Sequence, residues 1–505
     1  MTDVPATEAT LEQPWMIAGN LGAEVHETHT GLVALLGARA YKAKKAVVTD
    51  FLDFSTVDRR EAACRREVEL NRRLAPDSYL GIGRFRAPDG ADEPVIVMRR
   101  YPDSARLAAL VRAGMDVRDH LTAIATVLAR FHRDAARGPA IDHEASHGAV
   151  AERWQENLGE LQQHAGTVVS AARLAEVTRL ARLFLAGRHA LYAQRSTDGR
   201  VVDGHGDLLG EDIFCTAEGP VLLDCLEFDD RLRYVDGIDD AAFLAMDLEF
   251  LGSRTSGDFF LAEYRRQAGD PAPRSLADFC IAYRAVVRAK VDCVRVGQGH
   301  ADAAGDAQRH LSIAEQHLRA ATVRLVVVGG GPGTGKTTLA RALADRLGAQ
   351  VISTDDVRRD LQDCGAIGGP IGDLDAGLYA PENAGTVYAE VLSRARASLS
   401  AGRSVILDGT WRDAGRRTAA RLVAADTSCP VIELRCVLPV EEAVRRVAAR
   451  GSSTSDATPA IAAKLAAEEA EWPQARPIGT GRPLDENVAE ALRECLAALW
   501  PPSRP

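Results

Sequence analysis

At 505 residues the chain is too long for one ordinary hydrophobic core, so two or more domains are expected. A hydrophobic share of 46% and a charged share of 26% suit a globular protein. The formal net charge of −10 argues against a broad nucleic-acid or membrane-binding surface. The opening stretch MTDVPATEATLEQPW carries acids and no apolar core, unlike a signal peptide. No apolar run approaches the roughly 18 residues that read as a membrane span. The nine cysteines include no CxxC pair and no metal-like grouping with histidine, which suits reduced thiols and a cytoplasmic location.

In chain order, residues 1–23 read as a short lead-in. Residues 24–98 read as β-rich with one helix. GLVALLGARAYKAKKAVV gives two strands about a turn near Gly37. RREAACRREVELNRRLA gives a helix with Ala62, Ala63, Val68, Leu70 and Leu74 among its arginines. EPVIVMRRY gives a buried strand. Lysine is rare, at only six positions, and three of these are Lys42, Lys44 and Lys45. Lys42 and Lys44 are two apart on a strand and share a face, while Lys45 points the other way. An edge strand guarded by lysines would look similar.

Residues 105–195 read as mostly helical. VVDGHGDLLGEDIFC followed by GPVLLDCLEF then reads as short strands around loops. Asp207 in the His205-Gly206-Asp207 loop can accept a hydroxyl proton. Asp224 ends the next strand, where it can hold Mg²⁺ between phosphates. A turn with an Asx cap is the plainer alternative. Residues 239–321 return to helix.

From Arg324 the pattern becomes strand, glycine loop, helix, with further strands in QVIST, RSVILDG and PVIELRCVL. That order is the βαβ pattern of a parallel sheet. The run from Gly330 to Thr337 matches G-x-x-x-x-G-K-[ST] in full. Its backbone N–H groups can cradle phosphates, Lys336 can reach the β and γ phosphates, and Thr337 can ligate Mg²⁺. Gly330, Gly333, Thr334, Gly335 and Thr338 complete the candidate nucleotide contacts. Asp355, after QVIST, can take a proton from an acceptor, with Arg358 and Arg359 beside it; Thr354 or Asp355 can instead cap the following helix. Asp408 ends SVILD as a Walker-B-like carboxylate or a plain strand-end turn. No second acid follows it, which argues against a ring ATPase. Arg445, Arg446 and Arg450 lead into a Ser/Thr/Gly segment. A lid delivering arginine to the transferring phosphoryl group fits that pattern, as does a solvated helix face.

Two resemblances follow from these motifs. GGPGTGKTTLA, STDDVRRDL, ILDGTW and SDAT resemble the small P-loop kinases of the gluconate kinase, chloramphenicol phosphotransferase and zeta-toxin type, over residues 323–500. HGDLLGEDIF, LLDCLEF and the Asp236-x-x-x-Asp240 helix start resemble the aminoglycoside phosphotransferase family, bacterial relatives of protein kinases, over residues 24–319. The whole chain resembles bacterial fusions of the two. The resemblance implies a bilobal α+β protein-kinase-like domain followed by an α/β P-loop domain with a parallel sheet.

It also implies ATP and Mg²⁺ as cofactors and a small hydroxylated acceptor such as a sugar, amino sugar or antibiotic. Nucleic acid and membrane are not expected partners, and no oligomeric state is indicated. In the first domain it makes Asp207 the base and Asp224 and Asp212 the metal ligands. Lys42 or Lys44, paired with Glu67, would orient ATP. Asp212 stands where that family usually has asparagine, and THTGLVALLG lacks a full glycine-rich loop. A pseudokinase or nucleotide-dependent switch is therefore an alternative for this domain. A nucleotide-sugar or a nucleic-acid end is an alternative acceptor for the P-loop domain.

Overall fold

The computed structural model describes residues 24–27, 31–49, 52–86, 92–370, 377–449, 458–467 and 471–497. The chain divides into two compact units, each discontinuous in sequence. One comprises residues 1–145 with 199–270, the other 146–198 with 271–505. The architecture is an α+β part joined to an α/β part with a parallel sheet and a phosphate loop.

The first unit is built on an antiparallel sheet of β1 (Glu24–Glu27), β2 (Gly31–Leu36), β3 (Arg39–Lys44), β4 (Tyr79–Arg86) and β5 (Asp92–Arg99), in the order β1-β2-β3-β5-β4. A two-residue turn with Gly37 at φ 56° joins β2 to β3, close to where the sequence places it. Helix α1 (Val57–Asn71) packs on the sheet through Cys64 and Val68, against Leu35, Ala40, Ile96 and Met98. The Thr56 hydroxyl caps its start by accepting from the Arg59 N–H.

The remainder of this unit holds α2 (Arg118–Asp134) and the hairpin β6 (Ile213–Thr216) with β7 (Gly219–Leu222). Helices α3 (Gly237–Phe250) and α4 (Arg254–Ala268) also belong to it. Nearly every residue of α3 is buried, so its apolar surface runs all round, and its two core acids serve neighbouring loops.

The second unit carries a five-stranded parallel sheet of β8 (Leu325–Gly329), β9 (Gln350–Ser353), β10 (Val405–Asp408), β11 (Val431–Val437) and β12 (Arg476–Gly479). Its order is β9-β10-β8-β11-β12. β8 reads LVVVG, a continuous apolar run, because both faces of the sheet are covered. The covering helices are α5 (Lys336–Leu347), α6 (Thr354–Asp363), α7 (Pro381–Ser400), α8 (Ala414–Asp426) and, after α9 (Val440–Ala449) and α10 (Pro459–Ala467), which pack on each other, α11 (Leu484–Ala497).

Helices 147–162, 171–186, 274–297 and 303–321, which the sequence reading assigns to the first domain, group by their contacts with this unit. Arg188 shows one tie. It is 1% exposed and donates to the carbonyls of Leu399, at 2.8 Å, and Thr427, at 3.2 Å. Gly187 beside it is so close to Thr427 that an added Cβ would lie 2.0 Å from the Thr427 carbonyl oxygen.

Candidate functional sites

In the first unit β3 presents Lys42 and Lys44 on one face, toward α1. Glu67, fully buried on α1, meets both. Lys42 Nζ lies 2.9 Å from Oε1 and Lys44 Nζ lies 2.6 Å from Oε2. The choice left open between the two lysines thus resolves into a shared carboxylate. Each lysine also reaches the segment after β7: Lys42 pairs with Asp224 at 2.5 Å and Lys44 with Glu227 at 2.5 Å. Burial works against the Lys42 charge, but Asp224, Glu67 and Glu227 outweigh it and raise its pKa well above the usual value. Lys45 points away, to Glu27 on β1 at 2.5 Å.

Asp224 sits in the left-handed region at φ 64°, rare for a residue with a side chain. Its backbone N–H donates to the Tyr79 hydroxyl at 3.2 Å, and the next N–H, of Cys225, donates to Asn71 Oδ1 at 2.8 Å. Burial would raise the Asp224 carboxyl; Lys42 holds it below its ordinary value instead.

The His205-Gly206-Asp207 loop hangs on Asp240 of α3. The N–H groups of His205 and Gly206 donate to the two Asp240 oxygens at 2.7 and 2.8 Å. His132 of α2 contacts the same carboxylate at 2.8 Å and the Tyr264 hydroxyl at 2.8 Å. Burial opposes the Asp240 charge, yet His132 and the His205 backbone keep the carboxyl well below the carboxylate range. His205 is fully buried. Its Nε2 faces the Leu223 carbonyl at 3.0 Å, which can only accept, so Nε2 carries the proton. Nδ1 is then the acceptor facing the Asp207 N–H at 3.4 Å. Burial lowers the His205 pKa and keeps the ring neutral.

Asp207, Asp212 and Asp224 converge. Burial first, then the charges of Asp224 and Asp207, push the Asp212 carboxyl well above its ordinary value. Among the described residues no three His, Cys, Asp or Glu side chains form a metal site by themselves. Mg²⁺ in phosphotransferases takes one or two carboxylates and completes its shell with phosphates and water. A crowded carboxylate group of this kind fits a divalent cation.

In the second unit the phosphate loop joins β8 to α5. Gly330, Gly333 and Gly335 have φ of 146°, 79° and 80°. Thr334 Oγ1 donates back to the Gly331 carbonyl at 2.8 Å, and the Thr334 carbonyl accepts from the Thr480 hydroxyl at 2.7 Å. Gly333 faces α9, where an added Cβ would lie 2.3 Å from the Ala443 carbonyl oxygen. Lys336, Thr337 and Thr338 open α5.

The Thr337 hydroxyl donates to Asp408 Oδ2 at 2.7 Å, and Asp408 Oδ1 is buried without a partner. Burial raises the Asp408 carboxyl against the pull of Lys336 and Thr337. An orphaned oxygen beside a loop hydroxyl fits Mg²⁺. Asp355 lies near enough to act on Asp408 electrostatically, and Arg358 donates to Asp355 Oδ1 at 2.8 Å. The helix cap falls one residue earlier than expected: Ser353, not Thr354 or Asp355, accepts from the Asp355 N–H, which leaves the Asp355 carboxylate to Arg358.

Arg446 of α9 pairs with Glu442 at 2.8 Å and donates to the Thr480 carbonyl at 3.3 Å. Arg450 lies outside the described residues. A cavity of about 670 Å³ runs beside Gly330, Gly331 and Pro332, bounded by Trp411, Leu438 and Trp472 among others.

Sequence reasoning missed Glu227, Tyr79, Asn71 and His132. Glu227 lies three residues beyond Asp224, which is the one local hint available. The other three act across the fold and leave no local pattern.

The chain thus joins an α+β part, with a buried lysine–glutamate pair beside converging aspartates, to an α/β part with a complete phosphate-loop pattern. The AAA domain profile matches residues 325–472. The uncharacterized protein Rv2004c of Mycobacterium tuberculosis is 56% identical over 94% of this chain and 96% of its own length. The chain belongs to that protein's family. Among solved structures, a sugar kinase from Janibacter sp. is 24% identical over 34% of this chain and 94% of its own, with TM-score 0.28. A choline/ethanolamine kinase family protein from Mesorhizobium loti is 15% identical over 62% of this chain and 96% of its own, with TM-score 0.38. Among the described residues no helix is long and apolar enough to cross a membrane.

Proposed function

We propose that the protein is an ATP-dependent phosphotransferase with a nucleotide site in each unit, acting on a hydroxyl of a small molecule such as a sugar, amino sugar or antibiotic. The observation that carries the proposal is the complete phosphate loop, with Thr337 bonded at 2.7 Å to a strand-end Asp408 that keeps one buried oxygen free of partners.

In the second unit the loop N–H groups, the α5 N-terminus and Lys336 bind the phosphates. Thr337 and Asp408 would hold Mg²⁺, which neutralises charge on the β and γ phosphates when bound. Asp355, oriented by Arg358, accepts the acceptor's hydroxyl proton. The acceptor oxygen forms a bond to the γ phosphorus as the bond to the β-bridging oxygen breaks, and ADP leaves. Arg450 is assigned to the transferring group.

In the first unit Asp207 is the proton acceptor, Asp212 and Asp224 would hold the metal, and Lys42 orients the phosphates. A second reading has support from Asp212, whose crowded, buried carboxyl sets this site apart from the asparagine usual there: the first unit would bind ATP as a switch and regulate the second.

ATP consumption across sugars, antibiotics and nucleosides tests both. Turnover with some acceptor that is lost in Lys336→Ala or Asp207→Ala supports transfer. ATP binding with no transfer across the panel refutes it and favours the switch.

A further inference from the structure

We propose that Lys44 and Glu227 form a second, buried positioning pair that holds Glu67 in place while Lys42 exchanges Asp224 for nucleotide phosphate. This rests on the reading that the first unit binds ATP.

A single β3 lysine suffices to pair with a helix glutamate and with phosphate. Here a second lysine, 3% exposed, lies two residues on and takes the other oxygen of the same glutamate. Its own second partner, Glu227, lies three residues past Asp224. Both lysines therefore bridge α1 to one segment, Lys42 through Asp224 and Lys44 through Glu227. The chain of contacts runs Asp224, Lys42, Glu67, Lys44, Glu227. Three carboxylates share two ammonium groups.

That count has a consequence for Lys42. To reach phosphate it must leave Asp224, and Asp224 must turn to a cation. Glu67 is fully buried, and a buried carboxylate with no cation is costly. With Lys44 on Oε2, Glu67 keeps a partner and its orientation as Lys42 shifts. Without Lys44, three carboxylates would compete for Lys42 alone and hold it away from phosphate. Lys44 touches no reacting atom in this scheme, so it is a positioning residue.

The test uses the full chain carrying Lys336→Ala, so that only the first nucleotide site reports. ATP affinity with Mg²⁺ is measured by calorimetry and folding by thermal melting, for Lys44→Met, Glu227→Gln and the double variant. Lys44→Met strands Glu227 and is expected to melt lower. The double variant removes both charges, so its melting temperature recovers. Its ATP affinity does not recover and stays about 10- to 100-fold weaker, the scale of one buried charge-assisted hydrogen bond. Glu227→Gln alone, with Lys44 still on Glu67, costs less than Lys44→Met.

Wild-type ATP affinity in the double variant would overturn the pair, because a merely structural lysine predicts that recovery. If Lys44→Met fails to fold, the double variant still decides. A folded Lys336→Ala chain that binds no ATP would overturn the two-site reading itself, and the pair with it.

Discussion

Gly333→Ala is the sharpest probe of the phosphate loop. At φ 79° an L-residue costs about 1–2 kcal/mol. The added methyl would lie 2.3 Å from the Ala443 carbonyl oxygen, 2.9 Å from its carbon and 3.0 Å from Val447 Cγ2. Two of these three are α9 backbone, which cannot swing aside as a side-chain tip can. Overpacking of this kind costs about 1–3 kcal/mol. The sum is about 2–5 kcal/mol, relieved only by moving the loop or α9. If about 2 kcal/mol of it falls on the bound state, ATP affinity drops at least about 30-fold. The assay is calorimetric ATP binding in a Lys42→Met background, which removes the phosphate-orienting lysine of the first unit, with thermal melting alongside. Gly331→Ala in the same loop meets only Thr334 Cγ2, at 3.9 Å, and should melt within about 1 °C of the parent. Unchanged ATP affinity and melting in Gly333→Ala would refute the close approach of α9 to the loop.

Other outcomes follow from the same geometry. Thr337→Val removes the hydroxyl bonded to Asp408 Oδ2, and turnover at the P-loop site should fall about 100-fold or more with a steeper Mg²⁺ requirement; an unaltered Mg²⁺ dependence would count against the assignment. Acid should destabilise the fold through His205. Burial depresses its folded pKa below the ordinary 6.5, so the unfolded chain takes up the proton first; stability is full above about 6.5 and falls as pH drops toward the folded pKa. Melting from pH 8 to 5 should show that loss, and His205→Gln, which keeps an N–H for the Leu223 carbonyl, should flatten it. Among the nine cysteines only Cys364 is exposed, whereas burial pushes Cys225 and Cys436 up to about 12. Mass spectrometry after brief alkylation at pH 7.5 should find Cys364 modified first, and early labelling of Cys225 would contradict the packing.

Much of each site could be read locally. The phosphate loop is contiguous, so its strand, turn and helix fall in one short window around Lys336. Lys42 and Lys44 share a face because strand geometry alternates, and that needs no tertiary information. The helix carrying Glu67 shows in its apolar spacing. The cap of α6 is missed by one residue because Ser353, Thr354 and Asp355 are all good capping residues, and only the backbone angles separate them. Partners across the fold are less legible. Tyr79 reaches the Asp224 N–H over 145 positions, and His132 reaches Asp240 over 108. No local period marks such pairs.

The amino-acid sequence alone marked the two candidate sites, because each rests on residue types at short, rigid spacing: a glycine loop ending in Lys336-Thr337, and His205-Gly206-Asp207 ahead of Asp224. It also determined the strand and helix order around them. Only the tertiary structure decided how charge is shared. It placed both lysines on one buried carboxylate and brought Asp212 into repulsion with Asp207 and Asp224. It also grouped the helices between 146 and 198 and between 271 and 321 with the P-loop unit. Composition and period say which face of a helix is apolar, not which neighbour covers it. Electrostatic pairing in a low-dielectric interior depends on distances of a few ångströms, and those are set by packing between segments far apart in the chain.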